Sequence, residues 1–297
     1  MGVYLSTPST TKESEEGEIP ELRYAASSMQ GWRMSMEDAH ICHPNIKPGV
    51  HLFAVFDGHG GREVAQFCAL RFVDTLKANA AFNEGRFPDA LRETFLAVDV
   101  DLEKPDLQQL LRSLRSDPEH TSQSYAGCTA NVCLLTPETI FCANAGDSRA
   151  LLFDGKTVTP LSHDHKPDHE IEKKRITAAG GYVADGRVNE NLNLSRAIGD
   201  LEYKKNAAVG PEDQVITALP DVIEVRRDRA HRFLLMGCDG IWETLSTEQI
   251  CARLAEAVTG PARLSQVVED LLDKLIAPDT SKCTGCDNMT CVLVVFN

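Results

Sequence analysis

The run Leu52-Phe53-Ala54-Val55-Phe56-Asp57-Gly58 decides how this chain folds, because it carries a continuous apolar strand up to a carboxylate. A second run repeats the pattern, since Phe233-Leu234-Leu235-Met236 passes through Gly237-Cys238 into Asp239-Gly240. A buried strand that stops at an aspartate followed by a flexible glycine places a negative charge at a sheet edge, at a fixed height. Two such strand ends predict one shared cation site.

Two further aspartates lie at the ends of apolar runs. Asp147 follows residues 139–145, and Asp287 precedes residues 289–296. Hard divalent cations such as Mg²⁺ and Mn²⁺ take carboxylate, carbonyl and water oxygens, and a pair of such ions needs several carboxylates. A single Asp-Gly step is more typical of a turn. The four acids taken together favour the metal site.

Composition limits the classes of function that this chain can have. It has 297 residues, of which 42% are hydrophobic, so it can bury a substantial core. The formal net charge is −14, and the only run of three consecutive basic residues is Lys173-Lys174-Arg175. A nucleic-acid-binding surface is therefore not expected.

The ten cysteines indicate a reducing environment. Several of them lie inside apolar runs, and no apolar signal peptide precedes them. The pair Cys283-x-x-Cys286 could bind zinc or exchange disulfides, but no second pair lies at ligand spacing, so a loop with two free thiols is the preferred interpretation. We expect a cytoplasmic protein.

The N-terminus combines a lipidation pattern with a polar tail. Met1-Gly2-Val3-Tyr4-Leu5-Ser6 fits N-myristoylation of Gly2, and the alternative is a chance match to a short pattern. Residues 1–20 are rich in Ser, Thr and Glu and predict a flexible tail. One acyl chain on an acidic tail would give only weak, peripheral membrane binding.

Residues 21–297 predict a single catalytic domain, because no linker or repeat divides them. Residues 63–77, 87–102, 169–179, 248–257 and 264–276 predict helices. Helices and strands do not alternate strictly, which favours antiparallel sheets flanked by helices, an α+β fold. Residues 104–124 are polar and predict an exposed excursion. We expect a monomer.

A resemblance to a known family rests on eight short motifs that occur in one order. They are the stretches 33–40, 55–61, 127–130, 143–150, 165–167, 195–200, 238–242 and 287–290, among them Val-Phe-Asp-Gly-His-Gly-Gly at 55–61. In this order they resemble the metal-dependent serine/threonine phosphatases of the protein phosphatase 2C family. The resemblance covers nearly all of the chain after the tail, and it implies a four-layer α-β-β-α sandwich with two central antiparallel sheets.

The resemblance also implies the ligands of two manganese or magnesium ions. Asp57 corresponds to the carboxylate that bridges the ions, Gly58 gives a backbone carbonyl, and Asp239 and Asp287 complete the first ion. Glu37 and Asp38 would act largely through bound waters, and their adjacent positions in a strand-like stretch predict opposite faces. Asp147 with Asp239 resembles the site of a weaker third ion found in some members.

Three residues are assigned to catalysis beside the ions. The planar guanidinium of Arg33 suits phosphate oxygens. His59 is the candidate general acid for the leaving alkoxide, with a hydrogen-bonding role in the turn as its alternative. Asp38 is assigned to catalysis because it would contact the ions through bound waters.

The function implied by the resemblance is hydrolysis of phosphoserine and phosphothreonine in protein substrates by a water that the two ions activate. A cysteine nucleophile is disfavoured, because no cysteine lies beside a phosphate-binding loop. Two alternatives stay open, namely a phosphoprotein-binding pseudophosphatase and a metal-dependent hydrolase of small phosphate esters.

Overall fold

A computed structural model describes residues 4–117 and 125–297, which form sixteen β-strands and seven α-helices. The strands are β1 (Tyr4–Ile19), β2 (Leu22–Arg33), β3 (Ala39–Lys47), β4 (Val50–Phe56), β5 (Gly58–His59), β6 (Gly127–Cys128), β7 (Ala130–Leu135), β8 (Thr139–Ala145), β9 (Arg149–Phe153), β10 (Val158–Pro160), β11 (Val183–Ala184), β12 (Arg187–Val188), β13 (Ile198–Gly199), β14 (Asp221–Arg226), β15 (Phe233–Gly237) and β16 (Met289–Phe296). The helices are α1 (Glu63–Ala78), α2 (Ala80–Asn83), α3 (Phe87–Asp101), α4 (Gln108–Ser113), α5 (Glu170–Ala178), α6 (Thr247–Ala257) and α7 (Leu264–Leu275).

Two large antiparallel sheets contain most of the strands. One has the order β1-β2-β16-β15-β9-β10 and the other has the order β14-β8-β7-β4-β3. At the centre of the first sheet, Leu235 pairs with Leu293 on one side and with Leu151 on the other. A small sheet, β13-β6-β5, and the hairpin β11-β12 complete the pairing. The predicted antiparallel arrangement is confirmed.

The sheets lie face to face between two layers of helices. Along β4, Phe53 and Val55 point into the core between the sheets, whereas Leu52, Ala54 and Phe56 belong to the core beneath α1 and α3. This alternation follows from the period of two along a strand. Helices α6 and α7 cover the outer face of the six-stranded sheet. The four-layer sandwich that the resemblance implied is therefore confirmed.

The predicted helices all form, with ends within one residue of those expected. The apolar runs that precede Asp57, Asp147 and Asp239 are strands β4, β8 and β15, and β16 begins two residues after Asp287. None of the described helices has the length and apolarity needed to cross a membrane.

The flexible tail predicted for residues 1–20 is wrong where the structure describes it, because residues 4–19 form β1. This strand pairs antiparallel with β2 from Tyr4 to Ile19, with irregular register near Ser9 and Lys12. Its polar side chains contact α7, where the Lys12 ammonium binds the Asp273 carboxylate. Backbone pairing and these contacts order a segment that has few apolar residues of its own. Gly2, the predicted lipidation site, lies outside the described residues.

Two local expectations also need correction. The stretch around Glu37 and Asp38 is not a strand, since β2 ends at Arg33 and β3 begins at Ala39. The predicted excursion at 104–124 contains α4, which buries Leu111 against the core beneath α1. The rest of that excursion, residues 118–124, lies outside the described residues.

Candidate metal centre and active site

The first acid of the site is fixed by backbone hydrogen bonds. Asp57 follows β4 directly, its N–H donates to Thr129 Oγ1 at 3.2 Å, and its carbonyl accepts from the Thr129 N–H at 2.9 Å. The Thr129 hydroxyl in turn lies 2.7 Å from the Ser148 hydroxyl. These bonds hold Asp57 at the end of β4 and leave its carboxylate free to face other acids.

Strand ends from both large sheets bring two more aspartates to Asp57. Asp147 follows β8 and Asp239 follows β15. Carboxylate oxygens of Asp57, Asp147 and Asp239 lie within 4.8 Å of one another. Asp147 also contacts the Lys166 ammonium. The shared cation site predicted from the two Asp-Gly steps therefore has a geometric basis.

The same proximity makes these carboxylates difficult to ionise together. Burial and then repulsion from Asp239 raise the pKa of Asp57 well above its ordinary value. Burial and then repulsion from Asp147 raise the pKa of Asp239 to about 8. Desolvation and like charges both disfavour the charged form of an acid. A divalent cation between these side chains would remove both penalties.

Asp38 adds an enclosed carboxylate to the same region. It is buried, and neither of its oxygens has a hydrogen-bond partner among the described residues. One oxygen lies within 4.8 Å of ligand atoms of Asp57 and Cys238. Burial raises the pKa of Asp38 to about 6. An orphaned buried carboxylate beside other acids fits a site for hard divalent ions. Asp38, Asp57, Asp147 and Asp239 are called the acid cluster below.

Gly58 is required by the close approach of the neighbouring loop. A Cβ atom at this position would collide with the Glu37 carbonyl. The Glu37 side chain accepts hydrogen bonds from the Ser35 hydroxyl at 2.7 Å and from the Gly61 N–H at 3.2 Å. Glu37 thus lies against the turn that carries Gly58, with its carboxylate engaged by protein donors.

Two residues for which the sequence predicted different roles form an ion pair in the structure. Arg33, assigned to substrate phosphate, forms an ion pair with Asp287, assigned to a metal, at 2.7 Å. The Arg33 side chain is 48% exposed, so part of the guanidinium faces solvent. Asp287 also accepts from the Asn288 N–H at 2.7 Å. Among the described residues, Asp287 belongs to none of the groups of three ligand residues whose ligand atoms all lie within 4.8 Å of one another.

His59 has a partner that no local sequence pattern indicates. Its Nε2 lies 2.8 Å from an oxygen of Asp200, a residue 141 positions away. Burial disfavours the charged imidazole, but the Asp200 carboxylate outweighs that effect and raises the pKa of His59. A side chain at Gly127 would meet His59 Nε2 at 2.7 Å, so this glycine makes room for the pair.

The cysteine beside the acids is unsuited to nucleophilic chemistry. Cys238 is fully buried, and burial followed by the charge of Asp38 raises the pKa of its thiol well above the ordinary value. The thiolate is the nucleophilic form of cysteine. The preference for metal chemistry over a cysteine nucleophile agrees with this environment.

Comparison with known proteins shows a family for this chain. The profile described as "Protein phosphatase 2C" matches residues 22–284. A relative from Paramecium tetraurelia, "Probable protein phosphatase 2C 6", is 52% identical over 297 residues and is covered completely, as is this chain. "Protein phosphatase 2C homolog 2" of Schizosaccharomyces pombe is 42% identical over 304 residues, which span 100% of this chain and 79% of the relative.

A solved structure has the same architecture. A phosphatase from a pathogenic strain of Toxoplasma gondii superposes with a TM-score of 0.78 at 26% identity. The superposition covers 97% of this chain and 96% of the other. The likeness therefore includes nearly the whole sandwich.

Proposed function

The chain belongs to the protein phosphatase 2C family, and from that premise we propose that its acid cluster holds the divalent ions with which it hydrolyses phosphoproteins. The chain is a metal-dependent protein serine/threonine phosphatase, and the metal of this family is manganese or magnesium. The observation that carries the proposed location is the approach of the Asp57, Asp147 and Asp239 oxygens to within 4.8 Å.

We assign the ligands as follows. Asp57, the Gly58 carbonyl, Asp239 and Asp287 would hold two ions together with Glu37 and Asp38, and Asp147 with Asp239 would hold a weaker third. When bound, such ions lower the pKa of water and neutralise charge on a phosphoryl group. The Lys166 ammonium partly offsets Asp147 without any ion, which is consistent with weaker binding at the third position.

Arg33 and His59 are proposed to act on the substrate directly. The exposed part of the Arg33 guanidinium can bind phosphate oxygens while Asp287 holds its other side. A protonated His59 donates from Nε2 to Asp200 and keeps its Nδ1 proton for the leaving alkoxide. Asp200 is a positioning residue, because it orients the imidazole and favours its charged form.

Three further proposals concern the environment of the enzyme. We propose that Gly2 is myristoylated, that the protein is a cytoplasmic monomer, and that the acyl chain gives it weak peripheral membrane association. The pattern Met1-Gly2 with Ser6 supports acylation, and the ten cysteines, none in a disulfide among the described residues, support a reducing compartment. Mass spectrometry of the N-terminus tests the first proposal, and light scattering tests the oligomeric state.

Phosphate release from a phosphothreonine peptide tests the proposed site. We expect turnover with added Mn²⁺, none in EDTA, and none for Asp57→Ala or Asp239→Ala. Asp89→Ala provides the matched control, since it removes a half-exposed acid that pairs with Arg86 on the surface. Turnover that survives EDTA or either cluster substitution would refute the metal site.

The same assay separates the alternative functions. Hydrolysis of small phosphate esters without hydrolysis of peptides would favour a small-ester hydrolase. Peptide binding without turnover, in Mn²⁺, would favour a pseudophosphatase. Replacing His59 by Gln should slow phosphopeptides more than esters with good leaving groups, and equal slowing would contradict the general-acid assignment.

A further inference from the structure

A second group of metal-ligating side chains lies where the edges of the two large sheets meet. Glu15 belongs to β1, at the edge of the six-stranded sheet, and His40 and Cys42 belong to β3, at the edge of the five-stranded sheet. We propose that Glu15, His40 and Cys42 form a Zn²⁺ site that links β1 to β3. This site is separate from the acid cluster and differs from it in ligand chemistry.

The geometry brings one nitrogen, one sulfur and one oxygen ligand together. The Glu15 oxygen, a His40 ring nitrogen and the Cys42 sulfur all lie within 4.8 Å of one another, and His40 Nε2 is 3.0 Å from Glu15 Oε1. His40 and Cys42 are two residues apart on one strand, so their side chains leave the same face. Ser28 Oγ lies 3.5 Å from His40 Nδ1 and can orient the ring.

The ligand set selects a borderline ion. Zn²⁺ is bound tetrahedrally by cysteine sulfur, histidine nitrogen and carboxylate oxygen at about 2.0–2.3 Å, whereas Mg²⁺ and Mn²⁺ prefer oxygen alone. The Glu15 side chain is 49% exposed and that of His40 is 19% exposed, so a water can take the fourth position. When the zinc–sulfur bond forms, the Cys42 thiol releases its proton to solvent and no oxidant is required.

Binding of Zn²⁺ should stabilise the docked position of β1. This strand is mostly polar, its pairing with β2 is irregular between Tyr4 and Lys12, and several of its side chains make polar contacts with α7. An ion held by β1 and β3 together binds only while β1 is docked. Zn²⁺ should therefore raise the unfolding temperature of the protein by mass action.

Titration with Co²⁺, which substitutes for zinc, tests the site through its colour. A cobalt–thiolate bond gives a near-ultraviolet charge-transfer band that oxygen ligands cannot give, and Cys42→Ser separates a band from Cys42 from one that the buried Cys238 thiol beside the acid cluster would give. With Mg²⁺ in excess to occupy the acid cluster, we expect one equivalent of Co²⁺ to develop the band, Zn²⁺ to abolish it, Cys42→Ser to remove it and Glu15→Gln to weaken the affinity by about 10-fold or more. Cys283→Ser is the matched control, because Cys283 is an exposed thiol outside the site, and it should keep the band.

Two results would overturn the proposal, namely no band in the wild-type protein, or a band that survives Cys42→Ser. If Cys42→Ser does not fold, alkylation of the wild-type protein decides instead. Zn²⁺ should slow modification of Cys42 relative to Cys283, measured by peptide mass spectrometry, and equal rates would contradict the site. Neither readout depends on phosphatase activity, so failure here is distinguishable from failure of the proposed catalytic site.

Discussion

Two charged clusters in this protein solve the problem of burial in opposite ways. In the ion-paired cluster, formed by Glu172, Arg175, Arg196 and Asp221, Glu172 accepts from Arg175 and from Arg196, each at 2.6 Å. Burial pushes the pKa of Glu172 up, but the hydrogen bond from Arg196 and the charge of Arg175 bring it down to about 2. In the acid cluster, burial and repulsion act in the same direction, and the pKa of Asp239 rises to about 8.

The difference separates structural charge from functional charge. The ion-paired cluster is neutralised by the chain's own arginines, and Arg196 also binds Asp221 at 2.8 Å. The acid cluster has the Lys166 ammonium at Asp147, and Asp38 has no hydrogen-bond partner among the described residues. A protein that leaves several enclosed acids without enough cations of its own is prepared to bind cations from solution.

The largest effect is expected from breaking the ion-paired cluster. Glu172→Gln leaves two buried arginines without their shared carboxylate and should cost about 3–5 kcal/mol of unfolding free energy. Denaturant unfolding in Mn²⁺ measures this loss, and the folded fraction should keep its turnover. Glu170→Gln on the same helix is the control, because its pair with Lys174 is exposed and should change stability by less than about 1 kcal/mol. Equal effects of the two substitutions would contradict the comparison.

Changing the acid cluster should have a different result. Asp239→Asn removes a proposed ligand and should lower Mn²⁺-dependent turnover of a phosphopeptide by about 100-fold or more. The same substitution relieves repulsion, so the metal-free variant should unfold at a higher temperature than the metal-free wild type. Asp89→Asn is the surface control and should change neither quantity. If the metal-free variant is less stable than the metal-free wild type, the protein's own contacts stabilise the Asp239 carboxylate and no bound cation is needed for that.

The two clusters should also respond oppositely to pH in EDTA. An acid with a raised pKa destabilises the fold when charged, so stability should increase as pH falls from about 8, the pKa of Asp239. An acid whose pKa is lowered in the folded protein stabilises the fold at pH values above its pKa in the unfolded chain. This stability is lost as the folded protein takes up the proton. Protonation of Glu172 should therefore reduce stability as pH falls from 4.5, the ordinary pKa of this carboxyl, to about 2.

Thermal unfolding against pH, with and without Mn²⁺, measures both limbs. Bound Mn²⁺ should abolish the increase in stability that occurs as pH falls below about 8, and it should leave the loss of stability on protonation of Glu172 unchanged. A stability that is flat between pH 8 and 5 in EDTA would rule out the uncompensated acid cluster.

Sequence patterns predicted most of the acid cluster because its elements are local. Asp57, Asp147 and Asp239 each follow an apolar run, and strand periodicity places such residues at a sheet edge without knowledge of the partner strands. The same logic failed for β1, whose order comes from β2 and α7 rather than from its own composition. Local composition describes what a segment can bury, and it contains no information about an edge strand that other elements hold.

Contacts between residues far apart in sequence could not be predicted for the same reason. Nothing in the short run Ile198-Gly199-Asp200 indicates a histidine 141 positions away. Strand β6 provides the link, because it pairs with β5, which carries His59, and with β13, which precedes Asp200. Asp200 ends the motif at 195–200, and only the three-stranded sheet shows its contact with a proposed catalytic residue.

The smallest expected effect tests whether Asp200 belongs with the functional charges or the structural ones. Asp200→Asn keeps the shape of the side chain but removes the negative charge that raises the pKa of His59. Turnover of a phosphothreonine peptide at neutral pH should fall by about 10-fold, and the alkaline limb of kcat should move to lower pH because His59 loses its proton earlier. Esters with good leaving groups should lose less. A uniform loss for both substrates with an unmoved pH profile would instead assign Asp200 to the fold, beside Glu172.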